Sequence, residues 1–332
     1  MATFKGIKGF TVQTLSSDPT TASSVGQIYY NSTGNAFKYV QPGGLSAGTW
    51  SSGGSLNNGR PQLAGAGTQT AALAIAGEFS PPLTLTFSEE YDGSSWTNGG
   101  TLNTGGAFAQ GFGTQTAAVN VGGKNPGTVF SGTELYNGTS WTAIPGSLDR
   151  GLAGGRGQGT QTAGILFAGA ATTSMDPSVV DTNTFDGTSW TEVANMNSAR
   201  YVLAGSGIQT AALAFGGSVG APSSPVLTES WNGSSWTEVA EFNTARNAQG
   251  GAGTQTLALM YGGASNPGAY VGLTESWDGS SWTEVADMAS GRGYAASGGT
   301  GTAAFMAGGN GSSNLTEEWT VPDLVIKTIT TS

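Results

Sequence analysis

Short apolar runs and polar turns alternate along this chain with a period of about 46 residues. Each block opens on a small-residue run ending in Gly-Thr-Gln-Thr. An apolar run, a glycine pair, a variable loop, an alternating run closed by aromatic-Asx-Gly, and Ser-Trp-Thr follow. In the fifth block the small-residue run at 246–253 predicts one strand and the continuous apolar run at 256–261 a second. The alternating run at 273–277 predicts a third, Asp278-Gly279 a tight turn, and 281–285 a fourth. Four antiparallel strands per repeat make a propeller blade.

The block glycine recurs at Gly67, Gly113, Gly159, Gly207, Gly253 and Gly299, and the Ser-Trp tryptophan at Trp50, Trp96, Trp141, Trp190, Trp236 and Trp282. Six copies predict an all-β chain folded as a six-bladed β-propeller at 48–320. The sixth copy lacks its Ser-Trp strand, and that strand stands near the start as Thr49-Trp50-Ser51-Ser52. An N-terminal strand is therefore expected to complete the last blade and remove an open sheet edge. Small residues suit the innermost strands, which converge on an axis. The six tryptophans suit the widening space between blades as packing anchors.

Two segments lie outside the repeat. Residues 1–47 form an N-terminal extension whose run at 26–40 reads as a hairpin around 31–35, while 11–24 reads as loop. Its aromatic side chains Tyr29, Tyr30, Phe37 and Tyr39 are candidates for anchoring the protein to a partner, because a two-stranded hairpin is marginal alone. The tail 321–332 carries a β-branched run that would pair with 4–12.

Composition narrows the function. Eleven basic residues against 21 acidic ones give a net charge of −10, without a basic cluster, which argues against nucleic acid and membrane insertion. The absence of Cys and His removes thiolate and imidazole chemistry, so no cofactor and no transition metal are expected. A six-fold repeat offers no unique carboxylate pair for glycoside hydrolysis. No signal peptide or membrane span is evident in the text, so a soluble, non-enzymatic protein is expected.

The repeat resembles the kelch motif over 48–320. The resemblance rests on Gly122-Gly123, Gly216-Gly217, Gly262-Gly263 and Gly308-Gly309, on Tyr91, Tyr136, Phe185, Trp231, Trp277 and Trp319 closing the third strand, and on the fourth-strand tryptophans. Many kelch blades also open on Arg, here Arg60, Arg200, Arg246 and Arg292, with Gly106 in the second block and Arg150 displaced in the third. The resemblance implies a kelch-like propeller and leaves function open among adhesins, scaffolds and oxidases. Copper oxidases of that family need His and Cys ligands that this chain lacks.

The 26–40 text and the near-uniform repeat also resemble kelch-like virion surface proteins of aquatic bacteriophages. That resemblance implies a tail or capsid decoration protein assembled in the host cytoplasm, with other virion proteins and host surface glycans as partners. A homo-oligomer is compatible with it, and a free lectin-like propeller is the alternative.

Within the propeller, Arg60, Arg200, Arg246 and Arg292 would form a ring able to hold a carboxylate or acidic sugar; tying neighbouring loops together is the plainer role. Gln69, Gln115, Gln161, Gln209 and Gln255 would form a second polar ring or satisfy their own turns. The loops after the glycine pairs are the most individual text, with Phe79, Met175 and above all Tyr270 as candidate contacts for a sugar or partner.

Overall fold

The computed structural model describes residues 12–20, 24–79, 83–220, 224–265 and 268–329. The chain divides into two units, Thr49–Thr320 and a smaller one from the two ends, Met1–Gly48 with Val321–Ser332. Among the described residues Thr49–Thr320 is built on six four-stranded antiparallel sheets of the same strand order, repeated in a propeller-like arrangement.

The fifth sheet shows how sequence becomes strand. Its strands are Gly250–Gly253, Ala258–Tyr261, Thr274–Trp277 and Trp282–Glu284, paired in that order. Gly251 is glycine because a Cβ there would lie 2.8 Å from the Gly205 carbonyl oxygen of the adjoining first strand and 2.9 Å from the Phe215 ring. The second strand is buried throughout, which explains its unbroken apolar text. The turn residue Asp278 accepts the backbone N–H groups of Ser280 and Ser281, each at 2.8 Å.

The sixth sheet takes its outer strand from the start of the unit. Thr49–Ser52 pairs antiparallel with Thr316–Thr320, setting Trp50 opposite Trp319. The core is spread between consecutive sheets rather than gathered at one centre. Leu73 and Ile75 pack with Tyr136 and Trp141 of the next sheet, and Ile165 and Phe167 with Trp231 and Trp236.

Every Ser-Trp indole donates to a hydroxyl on the third strand of the preceding sheet. Trp50 reaches Thr274 (3.0 Å), Trp96 Thr316 (2.9 Å), Trp141 Ser88 (3.4 Å), Trp190 Thr133 (2.8 Å), Trp236 Thr182 (3.0 Å) and Trp282 Thr228 (3.1 Å). Each bond contributes on the order of 1 kcal/mol beyond the ring's burial. The Gln series also works across sheets and not within its own turn. Gln161 Nε2 donates to the carbonyls of Ala118 (3.0 Å) and Tyr136 (2.8 Å), and Gln115, Gln209 and Gln255 repeat the contact.

The smaller unit is one sheet ordered Gln13–Leu15, Ile28–Asn31, Ala36–Pro42, Leu324–Thr328. Three sequence expectations change here. Part of 11–24 is a strand, Gln13–Leu15, parallel to Ile28–Asn31, because the hairpin edge offers it unpaired backbone groups. The tail pairs with Ala36–Pro42 of the hairpin; of its expected partner, 4–12, residues 4–11 lie outside the described residues. Tyr29, a candidate anchor, is only 1 % exposed.

The Tyr29 hydroxyl donates to Asp18 at 2.7 Å, and Asp18 also receives Asn31 Nδ2 (2.5 Å) and Lys38 Nζ (2.8 Å). These bonds, Lys38 foremost, hold the Asp18 carboxyl down at about 2 against an ordinary 3.8. A lowered carboxyl contributes stability above its unfolded value that is lost as pH falls through the folded value. Tyr30 and Phe37 remain half-buried, their ring centroids 5.2 Å apart, and Tyr39 is half-buried too.

Candidate functional site

The four repeat arginines are not a ligand ring. Arg60, Arg200 and Arg246 are fully buried and Arg292 is 2 % exposed. Each pairs with a buried third-strand glutamate: Arg60 with Glu89 (2.5 Å), Arg200 with Glu229 (2.9 Å), Arg246 with Glu275 (2.8 Å) and Arg292 with Glu317 (3.0 Å). Burial pulls the four guanidinium pKa values down while the partner carboxylates oppose it. The plainer role is seen in part. Arg60 Nε donates to the Ala76 carbonyl at 2.7 Å, and its Nη1 to that of Asn58 at 2.7 Å. The glutamates, unnoticed in the sequence, complete it.

Met175 is likewise no surface contact. It is 7 % exposed and packs with Ala153, Ala170 and Val202. Phe79 is half-buried, 6.5 Å from Phe87. Tyr270 does stand out, at 40 % exposure.

A better candidate lies where the first strands converge. The run expected to form one first strand per repeat breaks at a residue in left-handed conformation. These residues are Gln62, Phe108, Gly154, Val202, Ala248 and Tyr294, with φ between 48° and 66°. In the fifth block the break at Ala248 separates Arg246–Asn247, paired with Ala264–Ser265, from Gly250–Gly253. The six residues hydrogen-bond in a cycle. Gln62 N donates to Tyr294 O (2.7 Å), Phe108 N to Gln62 O (3.0 Å) and Gly154 N to Phe108 O (2.9 Å). Val202 N donates to Gly154 O (2.6 Å), Ala248 N to Val202 O (2.8 Å) and Tyr294 N to Ala248 O (3.0 Å). Left-handed geometry costs of order 1 kcal/mol per non-glycine residue. The cycle over-determines it, because each residue's N–H and C=O are held by different neighbours.

Inside the ring lies a cavity of about 70 Å³, lined among others by Gln62, Gln110, Arg156 and Gln249. A second cavity of about 170 Å³, walled by the glycine-rich strands, also touches Arg156. Arg156 Nη1 donates to Ser297 Oγ (3.2 Å) and its Nη2 to the Gly251 carbonyl (3.0 Å), both on other sheets. Burial lowers its pKa, yet a guanidinium stays charged here. Among the described residues Arg156 Nε and the side-chain oxygens of Gln62, Gln110 and Gln249 are buried without a hydrogen-bond partner. Such groups are costly in a native interior unless water or a ligand supplies the missing bonds, and they make this cavity polar.

Phe108 and Tyr294 line the first cavity, and Tyr270 and Lys124 lie next to them. Phe108 and Tyr294 stand edge to face at 5.7 Å, Tyr270 lies 6.4 Å from Tyr294, and Lys124 Nζ sits 5.4 Å from the Phe108 ring centre. Rings around amide acceptors and one guanidinium donor suit a polyhydroxylated ligand. Sugars offer apolar faces for stacking and hydroxyls for bonding. Among the described residues there is no group of three or more His, Cys, Asp or Glu that could hold a metal ion, and no helix long and apolar enough to cross a membrane. No protein-family model and no curated protein sequence matches the chain.

Proposed function

We propose that this is a non-enzymatic attachment protein of a bacteriophage virion surface, on tail or capsid, whose closed six-bladed kelch-like propeller presents the aromatic mouth to host glycans. The observation that carries the binding reading is the mouth itself, a cavity lined by Phe108 and Tyr294 together with three amide oxygens that are buried without partners among the described residues, with Tyr270 next to Tyr294. The cyclic hydrogen bonds and the Thr49–Ser52 pairing support six blades and closure. The virion setting rests on the resemblance of the 26–40 text. A free lectin-like propeller uses the same mouth and differs only in its absence from particles.

Two experiments separate these readings. Glycan-array binding by the wild type should fall by about tenfold or more in Tyr294→Ala, which removes one stacking surface. Undiminished binding excludes the mouth. For the anchor, Tyr30→Ala combined with Phe37→Ala should leave the melting of Thr49–Thr320 unchanged and abolish incorporation into particles. Tyr29 is left intact, since its bond to Asp18 is internal to its unit. A double variant that incorporates normally, or that melts the propeller, defeats the anchor role.

A further inference from the structure

We infer that the second sheet carries a guanidinium-binding slot, formed where the repeat has lost its own arginine and kept its glutamate. The glycine-pair N–H groups align the repeat positions. Gly309 N donates to Arg60 O, Gly77 N to Gly106 O, Gly123 N to Leu152 O, and Gly169, Gly217 and Gly263 N to Arg200, Arg246 and Arg292 O. The third sheet has thus exchanged both halves of the ion pair, Leu152 for Arg and Asn183 for Glu, and Arg150 pairs instead with Asp181. The second sheet has exchanged only one half. Gly106 stands for Arg, while Glu134 remains, 5 % exposed, with no ion pair among the described residues.

The vacated space is open. In the first sheet, Arg60 donates to Asn58 O, Ala74 O, Ala76 O and Glu89, and lies 4.5 Å from the Phe87 ring centre. The matching residues of the second sheet are Thr104, Asn120, Gly122, Glu134 and Gly132, and all five line one cavity of about 320 Å³. Gly132 replaces the ring of Phe87, and a Cβ there would meet nothing within 4 Å. Asn120 replaces Ala74; it is 5 % exposed and its Oδ1 has no hydrogen-bond partner among the described residues. Thr104, Thr128, Gly132 and Ala143 are exposed at the entrance, with Glu134 and Asn120 buried behind.

The chemistry of the slot follows from its copies. Glu134 accepts Asn103 N, Asn103 Nδ2 and Thr104 N, each at 2.8 Å, as its counterparts accept the same segment. Its counterparts also take a guanidinium on the same carboxylate. A buried carboxylate without a cation is costly, and a planar, multiply donating cation matches carboxylate, amide oxygen and peptide carbonyls together. The ligand is a guanidinium head, from an arginine of a partner polypeptide or from a free guanidino compound. This holds whatever the mouth binds.

The test uses the full chain and N-methylguanidinium chloride, titrated by NMR below denaturing concentrations against methylammonium chloride. Saturable binding of N-methylguanidinium, at least about tenfold tighter than methylammonium, is expected. Gly106→Arg should fill the slot, abolish that binding and raise the melting temperature, because a Cβ at Gly106 meets only ordinary contacts at 3.5 Å. Arg246→Ala should create a second site for the same probe. A blocked Gly-Arg-Gly peptide binding tighter than free arginine assigns the source to a polypeptide, and the reverse order to a free compound. Absence of saturable binding by the wild type, or binding that persists in Gly106→Arg, overturns the inference.

Discussion

Glu275→Ala should destabilise the propeller by about 3–5 kcal/mol, the range for breaking one partner out of a buried ion pair. The carboxylate of Glu275 accepts Asn243 N (2.7 Å), Asn243 Nδ2 (2.8 Å), Thr244 N (3.4 Å) and Arg246 Nη1 (2.8 Å). Alanine leaves the Asn243 and Thr244 donors unmatched beside a buried cation whose Nη1 keeps only the Thr244 carbonyl, at 3.1 Å. Arg246 Nε and Nη2 already lack partners among the described residues, so the guanidinium has little else to turn to. Arg246→Met should cost less, because Glu275 would keep its bonds to the 243–244 backbone and the methionine would refill the volume. The order of the two variants in urea denaturation checks the argument. A loss below about 1 kcal/mol for Glu275→Ala would place the pair among weak surface bridges and sink it.

That pair marks where the text of the chain stopped being readable. The tryptophans, block glycines and apolar runs announce themselves, since the close approach of neighbouring first strands and the packing between consecutive sheets select residue size at fixed positions. Arg60 and Glu89 stand 29 residues apart, as do Arg200 and Glu229 and Arg246 and Glu275, whereas Arg292 and Glu317 are 25 apart across a shorter loop. Comparing repeats would have exposed the pairing only in part: the third block loses both halves together, to Leu152 and Asn183, whereas the second loses its Arg to Gly106 and keeps Glu134. The left-handed ring had no such signal. Gln62, Phe108, Gly154, Val202, Ala248 and Tyr294 share no side-chain chemistry, because the ring is held by backbone bonds. The mouth was therefore illegible, apart from Tyr270. The Gln series misled for a related reason: a residue in a turn suggests a local bond, yet the side chain is long enough to reach the neighbouring sheet.

Deleting residues 1–55 should convert the propeller into an aggregating species. The truncation removes the strand that pairs Ser52 with Glu317, Ser51 with Glu318, Trp50 with Trp319 and Thr49 with Thr320. Thr316–Thr320 then presents a bare row of backbone donors and acceptors, a template for another chain. The same cut removes Trp50, which packs 4.9 Å from the Tyr261 ring and 5.7 Å from Trp319 and bonds Thr274 of the preceding sheet. Trp50→Ala isolates that share, at about 3–5 kcal/mol for a large aromatic cut to alanine in a packed site. It should lower the melting temperature while leaving the protein monomeric, because the backbone pairing survives. The truncate, by contrast, should elute in the void volume and bind thioflavin T. If the truncate stays monomeric with wild-type melting, the sixth sheet is held without this strand, and the proposed closure rests on the cycle of six backbone hydrogen bonds alone.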